Sequence, residues 1–211
     1  SNGAAIYNKK TGERIHGVAI EYVDLHSILD AFAHYFHNGQ ITYEAFVDGV
    51  AYGGREYVEH PEAFGVPERN VAYVQSTRKP VDDIIAFLSE HEEELDSLDI
   101  VAADTALYQK IEEQIPLVTK SVYTTSAVSY RLEISHKNSG KATGLAYVLK
   151  LLDITPEETV AFGDGDNDAE MLEFAGLGVA MENATENCKA AADIVCDCCK
   201  NDGVARFLYG F

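Results

Sequence analysis

An acidic loop directly follows a short apolar run that ends at Gly163. Four oxygen-bearing side chains stand within five residues of this loop: Asp164, Asp166, Asn167 and Asp168. Carboxylates this close together repel one another, so the loop needs a cation or hydrogen-bond donors to compensate them. Oxygen ligands of this kind favour Mg²⁺ or Ca²⁺ over zinc. The pattern therefore indicates a divalent-cation site.

Two other interpretations of the loop stay open at this point. Asp164, Asp166 and Asp168 match the first, third and fifth positions of a calcium-binding EF-hand loop. That loop also needs a glycine at its sixth position and a glutamate at its twelfth, where this chain has Ala169 and Ala175. The second alternative is an acidic turn that only caps the start of a helix.

A lysine opens the helical pattern that precedes the strand of this loop. Taken alone, Lys141 is most simply a solvated side chain, because the dipole at a helix start disfavours a positive charge. If Lys141 and Asp164 lie at the same edge of a sheet, a lysine and a metal would flank one phosphate-sized space. The pair is therefore a candidate phosphate site.

The elements around the loop alternate between short strands and helices. The spacing predicts helices over 141–152, 167–175, 185–192 and 203–208, and strands over 159–162, 178–181 and 194–196. Such alternation is typical of a parallel, doubly wound α/β sheet, in which ligands bind beyond the carboxyl ends of the strands. The acidic loop follows the first of these strands.

The first 130 residues have a different pattern, which predicts an α+β module with a mixed or antiparallel sheet. One hairpin is predicted from 4–7 and 14–20, and a second from 41–48 and 50–59, joined at Asp48-Gly49. Helices are predicted over 24–36, 80–90 and 105–115, and strands over 71–75, 98–102, 117–124 and 127–134.

The amino-acid composition bears on the classes of partner and on the location of the protein. The 211 residues include 35 acidic and 16 basic side chains, for a formal net charge of −19. This balance argues against nucleic acid and anionic membranes as partners, because both bind basic patches. No apolar run is long enough for a membrane span, and no signal-peptide pattern is present. The four cysteines lack the spacing of a zinc site, and reduced thiols predict a cytoplasmic protein.

A set of short motifs extends over the last 80 or so residues: Glu133-Ile134, Lys141, Gly163-Asp164-Gly165-Asp166-Asn167-Asp168, Met171-Leu172, Ala175-Gly176, Val179-Ala180-Met181-Glu182-Asn183-Ala184, Lys189, Ala192-Asp193 and Asp202-Gly203-Val204-Ala205. Together they resemble the haloacid dehalogenase (HAD) superfamily, and within it the Cof-type sugar-phosphate phosphatases. The resemblance implies part of a Rossmann-like parallel-sheet core with an inserted α+β cap. Residues 1–11 would be the end of the third core strand and a hinge, 12–132 the cap, and 133–211 the C-terminal part of the core.

The resemblance also implies a function and residue roles. The protein would be a Mg²⁺-dependent phosphomonoester hydrolase that acts on small phosphorylated metabolites such as sugar phosphates. Asp164 would ligate Mg²⁺ directly, and Asp168 would act on the metal through a hydrogen bond or a water. Asn167 would contact the phosphate, and Lys141 would neutralise the transferring phosphoryl group, whose negative charge spreads over its oxygens in the transition state. Lys141 and Asp168 are the catalytic candidates.

One part of the family pattern is not found in this sequence. The family's nucleophile lies in an N-terminal Asp-x-Asp strand, and a Ser or Thr ends its next strand. We therefore expect a fragment of a longer phosphatase that is inactive alone, with the missing N-terminal segment as a possible partner. A phosphosugar mutase and a non-catalytic module that binds a metal or a partner are the alternatives.

Overall fold

The computed structural model describes residues 2–210, except for the side chain of Ala127. These residues form two compact units. The first contains Gly3–Ser139, and the second contains the residues from Gly140 onward together with Asn2.

The first unit is an α+β module. Its elements in chain order are β1 (Ala5–Tyr7), β2 (Arg14–Gly17), α1 (Tyr22–His37), β3 (Ile41–Val47), β4 (Val50–Gly54), α2 (Arg55–Glu59), α3 (Glu68–Thr77), β5 (Arg78–Val81), α4 (Ile84–Glu90), β6 (Leu95–Ala102), α5 (Thr105–Val118), β7 (Val122–Val128) and β8 (Arg131–His136). The first two strands form an antiparallel hairpin. The others form a six-stranded sheet in the order β5-β4-β3-β6-β8-β7, in which β4 and β5 are parallel and the remaining neighbours antiparallel.

The main hydrophobic core lies on one face of this sheet. Successive side chains of a strand point to opposite faces, so Tyr43 and Ala45 of β3 share one face. They are buried together with Leu25, Ile28 and Phe32 of α1, which recur at helical spacing. This packing explains why α1 forms where the sequence predicts a helix.

A smaller hydrophobic cluster contains side chains of α2, α3 and β6. The predicted strand over 71–75 is wrong, because this segment belongs to α3. Val71 and Val74 both pack in the smaller cluster, at the three-residue spacing that puts side chains on one face of a helix. The predicted strand over 50–59 is wrong in its second half, because β4 ends at Gly54 and α2 begins at Arg55.

The second unit has the predicted α/β pattern. It contains α6 (Lys141–Leu152), β9 (Val160–Gly163), α7 (Ala169–Phe174), β10 (Leu177–Met181), α8 (Glu186–Ala190), β11 (Ile194–Cys196) and α9 (Gly203–Tyr209). The strands form a parallel sheet in the order β11-β10-β9. A small core of Ala161, Leu172, Ala180, Ala184 and Cys188 packs the helices on this sheet, and the predicted fold class is confirmed.

The division between the units differs from the boundaries predicted from the sequence. Residues 133–136 were expected in the core, but they belong to β8 and pair with β6 and β7 in the six-stranded sheet. Ala5–Tyr7 were expected in a core strand or hinge, and they form the hairpin of the first unit. Ser1 lies outside the described residues. The assignment of the units as core and cap remains a prediction. Within residues 2–210, no helix is long and apolar enough to cross a membrane.

A buried ion pair joins two strands of the six-stranded sheet. Arg78 of β5 donates through Nε and Nη2 to the two carboxylate oxygens of Glu44 on β3, at 3.0 and 2.9 Å. The hydroxyl of Tyr57 also donates to Glu44. Glu44 is 0% exposed and Arg78 5% exposed. A bidentate pair of this kind satisfies both buried groups, so losing either partner would leave an uncompensated buried charge.

A second arginine extends this charged layer. Arg131 Nε lies 3.3 Å from Asp99 Oδ2, and its Nη2 donates to Glu133 Oε1 at 2.9 Å. Its Nη1 lies 3.7 Å from Glu44. Burial raises the pKa of Asp99 well above its usual range despite the attraction of Arg131, and the carboxylates of Glu44 and Glu133 raise it further. Asp99 therefore binds its proton more tightly in the folded chain than in the unfolded chain.

We predict that Asp99→Asn changes how stability depends on pH. Because the pKa of Asp99 is raised by folding, Asp99 contributes its full stabilisation at a pH below its unfolded-state pKa. This stabilisation is lost as the pH rises through the folded-state pKa. The free energy of unfolding of the natural chain, minus that of the variant, should therefore fall by on the order of 1–2 kcal/mol as pH rises from about 4 to 8. Urea unfolding across this range measures the difference, with Glu93→Gln, an exposed carboxylate, as control. A difference that grows with pH would contradict the assignment.

Candidate active site

The acidic loop begins where β9 ends. Its backbone turns sharply, since a Cβ on Gly163 would lie 2.4 Å from the Cβ of Asp168. Only glycine allows this approach, so Asp168 folds back over the end of its own strand. A short 3₁₀ turn, Asp166–Asp168, then leads into α7.

Asp168 is the most constrained side chain of the loop. Its Oδ1 accepts from Lys141 Nζ at 2.5 Å, and its Oδ2 accepts from the backbone N–H groups of Asp164 and Gly165, each at 3.0 Å. The residue is only 5% exposed. Burial favours its neutral form, but Lys141 and the two N–H groups outweigh this effect and lower the pKa of Asp168. Asp168 is therefore a carboxylate held in place from both sides.

Lys141 is the first residue of α6, as predicted, and it reaches two residues of the loop. Its ammonium donates to Asp168 and also to Asn167 Oδ1, at 3.3 Å. The amide of Asn167 donates in turn to Asn2 Oδ1 at 3.2 Å. About a third of the Lys141 side chain is exposed. The structure thus brings together Lys141, Asn167 and Asp168, three residues that the sequence predicts for the site.

The loop after β10 contacts the other two carboxylates. Asn183 Nδ2 donates to Asp164 Oδ2 at 3.2 Å, and Thr185 Oγ1 donates to Asp166 Oδ1 at 2.6 Å. The backbone N–H of Thr185 donates to the carbonyl of Asp164. Sequence reasoning gave neither Asn183 nor Thr185 a role. The available signal was their place after the neighbouring parallel strand, since such loops meet at one sheet edge.

These contacts decide between the interpretations of the acidic loop. Hydrogen-bond donors from α6, the backbone and the loop after β10 compensate the carboxylates. Asp168 caps the 3₁₀ turn, because its Oδ2 accepts from the N–H of Gly165, but its side chain makes no capping bond to α7. The loop therefore does more than cap a helix, since Lys141, Asn183 and Thr185 also donate to its carboxylates.

The donor set fits part of a Mg²⁺ site. Both oxygens of Asp168 already accept hydrogen bonds, whereas Asp164 Oδ2 accepts a bond from one side-chain amide. Among residues 2–210, no group of three or more His, Cys, Asp or Glu side chains is arranged to hold a metal ion. Since Mg²⁺ keeps several waters and takes one or two carboxylates in many sites, Asp164 is suited to be one of its ligands.

Cys188 lies behind the loop, on α8, and is fully buried. Burial raises the pKa of its thiol, and the carboxylates of Asp168, Asp164 and Asp166 raise it further. Because the thiolate is the form that binds metals, Cys188 acts as a small packing residue beneath the loop.

We predict that Lys141→Met destabilises the second unit in a pH-dependent way. The variant removes the cation that pairs with a buried carboxylate, so the free energy of unfolding should fall by about 1–2 kcal/mol at neutral pH. A lowered pKa contributes stability above the unfolded-state value that is lost as pH falls through the folded-state value. The difference between natural chain and variant should therefore shrink on acidification.

Chemical unfolding at several pH values measures this effect. Lys150→Met is the matched control, because Lys150 is an exposed residue of the same helix. Equal losses in the two variants, or a loss that does not change with pH, would show that Lys141 does not stabilise the Asp168 carboxylate.

Comparison with known proteins adds to this geometry. The chain matches the family of haloacid dehalogenase-like hydrolases over residues 1–208. It is 30% identical to the phosphatase YwpJ of Bacillus subtilis over 231 residues, which cover 99% of this chain and 76% of the relative. It is 50% identical to the phosphoglycolate phosphatase of Methanopyrus kandleri over 80 residues, which cover 38% of this chain and 34% of the relative.

Solved structures agree with the sequence matches. A haloacid dehalogenase-like hydrolase from B. subtilis superimposes with a TM-score of 0.77 at 25% identity, covering 99% of this chain and 76% of the other. The match thus spans about three-quarters of the B. subtilis hydrolase of known structure. It spans about a third of the M. kandleri phosphatase. The match over residues 1–208 and the likeness to YwpJ over 99% of the chain mean that this chain belongs to the haloacid dehalogenase-like hydrolase family.

Proposed function

We propose that the chain is part of a Mg²⁺-dependent phosphomonoester hydrolase that acts on small phosphorylated metabolites such as sugar phosphates. The observation that carries the proposal is the contact of Lys141 with both Asn167 and Asp168 at the carboxyl end of β9. An ammonium held by a buried carboxylate, beside an acidic loop, suits a phosphate group that arrives with a metal ion.

Lys141 would stabilise the negative charge that develops on the phosphoryl oxygens during transfer. Asp168 would hold the ammonium in position, since its other oxygen is fixed by two backbone N–H groups. Asn167, whose amide is oriented by Asn2, would position the loop or the phosphate. These groups need no rearrangement as charge develops, which is the source of their effect on the rate.

Mg²⁺ would be held by Asp164, with Asp168 acting through the hydrogen bonds that shape the loop. When bound, the metal would supply Lewis-acid stabilisation of the phosphoryl oxygens. Asn183 donates to one oxygen of Asp164 and would orient that carboxylate. We expect weak binding of Mg²⁺ to this chain alone, because few protein carboxylates are available to a strongly hydrated ion.

The nucleophile would be an aspartate on a segment outside these 211 residues. The first aspartate of this chain is Asp24, which is buried and accepts a hydrogen bond from Thr119. An aspartate carboxylate would attack phosphorus as the ester P–O bond breaks, and the ester oxygen would take a proton from water and leave as the alcohol. Water would then hydrolyse the aspartyl-phosphate to inorganic phosphate and the free carboxylate. The first unit would be the cap that selects the substrate.

The net charge and the cysteines bear on the partners and the cellular location of such an enzyme. The net charge of −19 disfavours nucleic acid and anionic membranes as partners. The four cysteines are all free, which supports a cytoplasmic location.

We predict that phosphatase activity needs an upstream Asp-x-Asp segment. The 211-residue chain should release no phosphate from sugar phosphates or p-nitrophenyl phosphate, whereas a longer form that begins with an apolar strand and Asp-x-Asp-x-Thr should do so with Mg²⁺. In the longer form, Asp164→Asn or Lys141→Met should lower kcat by roughly 100-fold or more, and Lys150→Met should not.

Phosphate release and its Mg²⁺ dependence test this prediction. Turnover by the pure 211-residue chain, with its mass confirmed, would contradict the assignment of the nucleophile. A longer form without activity would favour a metal- or partner-binding module. Transfer of phosphate between positions of a sugar bisphosphate would favour a phosphosugar mutase.

A further inference from the structure

We propose that a cavity in the first unit binds an aliphatic amine of the polyamine class. The cavity has a volume of about 620 Å³, within the range of ligand pockets, and all its lining residues belong to the first unit. Lys141, Asn167 and Asp168 belong to the second unit. The inference is therefore independent of the proposed phosphatase activity.

The cavity lies where β3 begins and β4 ends. Ile41 and Thr42 of β3 and Gly54 of β4 line it, beside residues of α2 and the start of α4. The opposite end of β3 leads into the turn at Gly49, whose N–H donates to Asp96, to which Tyr7 of the β1–β2 hairpin also donates. Seven strand residues separate the two ends by on the order of 20 Å. The cavity is thus distinct from the region that anchors the hairpin.

The walls of the cavity are aromatic. Phe36, Tyr57 and Phe64 line it, and the rings of Tyr57 and Phe64 meet edge to face with centroids 5.5 Å apart. The hydroxyl of Tyr57 is already bonded to Glu44, so this residue offers the cavity its ring. Aromatic faces attract both hydrocarbon chains and organic cations.

The rim of the cavity is acidic. Four carboxylates line it, from Glu56, Glu59, Asp82 and Asp83, against one arginine, Arg55. That arginine is already neutralised, since its Nη2 lies 2.8 Å from Asp82 and its Nη1 lies 3.6 Å from Glu59. The remaining charge of the rim is negative and favours a positively charged ligand.

Thr42 supplies a hydroxyl group to the cavity. Thr42 lines the cavity and is only 4% exposed. Within the described part of the chain, its side chain makes no hydrogen bond, and its oxygen is not among the fully buried polar atoms that lack a partner. Thr42 Oγ1 is therefore open to the cavity, where it can accept a hydrogen bond from a ligand ammonium. Aromatic walls, a negative rim and an unpaired hydroxyl that is open to the cavity together suit an ammonium on an aliphatic chain.

Two variants distinguish binding of the amine in this cavity from its non-specific attraction to an acidic protein. Thr42→Val keeps the side-chain shape and removes the acceptor. Gly54→Val fills the space, because a Cβ on Gly54 would meet only Ile84 and Thr42, each at 4.0 Å. Gly54 has φ −54° and ψ 141°, which valine adopts without strain. Glu93→Gln is the control, an exposed carboxylate outside the cavity.

Isothermal titration with spermidine at fixed ionic strength tests the proposal. The natural chain and Glu93→Gln should bind one equivalent with the same affinity. Thr42→Val should bind about tenfold more weakly, the loss expected for one hydrogen bond to a charged group. Its melting temperature should stay close to that of the natural chain, because Thr42 Oγ1 makes no hydrogen bond within the described residues that the variant would lose.

Gly54→Val should abolish saturable binding while retaining the circular dichroism spectrum of the natural chain. Absence of saturable binding to the natural chain would overturn the proposal. Unchanged affinity in a folded Gly54→Val or Thr42→Val variant would also overturn it, because the amine would then bind elsewhere on the acidic surface.

Discussion

The pairing of Lys141 with the buried carboxylate of Asp168 is the constraint on which the rest of the candidate site depends. A carboxylate that is 5% exposed stays ionised only when positive charge and N–H donors surround it. Lys141 supplies the charge from the start of α6, and the backbone of Asp164 and Gly165 supplies the donors. One side chain thereby fixes both the position of the lysine and the shape of the loop.

The parallel sheet of the second unit makes this arrangement possible. Because β9 and β10 run in the same direction, their following loops meet at one edge. Asn183 and Thr185 from the second loop then donate to Asp164 and Asp166 of the first. Three carboxylates can therefore share a short segment without relying on a metal ion for their mutual compensation. A metal that binds Asp164 would add to a loop that is already ordered.

Sequence reasoning predicted the parts of the site that are local in the chain. The loop from Gly163 to Asp168 and the start of α6 at Lys141 were recognisable from residue types and strand–helix alternation. Asn183 and Thr185 were missed because their role depends on which strands are neighbours, and an Asn or Thr after a strand is common in loops. The structure was also needed to show that hydrogen-bond donors and Lys141 compensate the carboxylates of the loop.

In the first unit, too, sequence reasoning predicted local features and missed those that depend on tertiary contacts. Its hairpin at Asp48 and Gly49 was predicted, and both residues have the positive φ values that such a turn requires. The segment over 71–75 was misassigned because β-branched and aromatic residues favour strands locally, while burial of Val71 and Val74 in a cluster stabilises the helix. The bond between Glu44 and Arg78 joins positions 34 residues apart and depends on strand order, which no local pattern contains.

The charge state of Asp168 is the central claim of this account, and NMR measures it directly. The ¹³Cγ resonance of Asp168, followed as a function of pH in the folded chain, should titrate with a midpoint below the ordinary aspartate value of about 3.9. In Lys141→Met the midpoint should move upward. A midpoint at or above the ordinary value in the natural chain, or no change in the variant, would contradict the claim that Lys141 and the backbone donors hold an ionised Asp168 at the centre of the site.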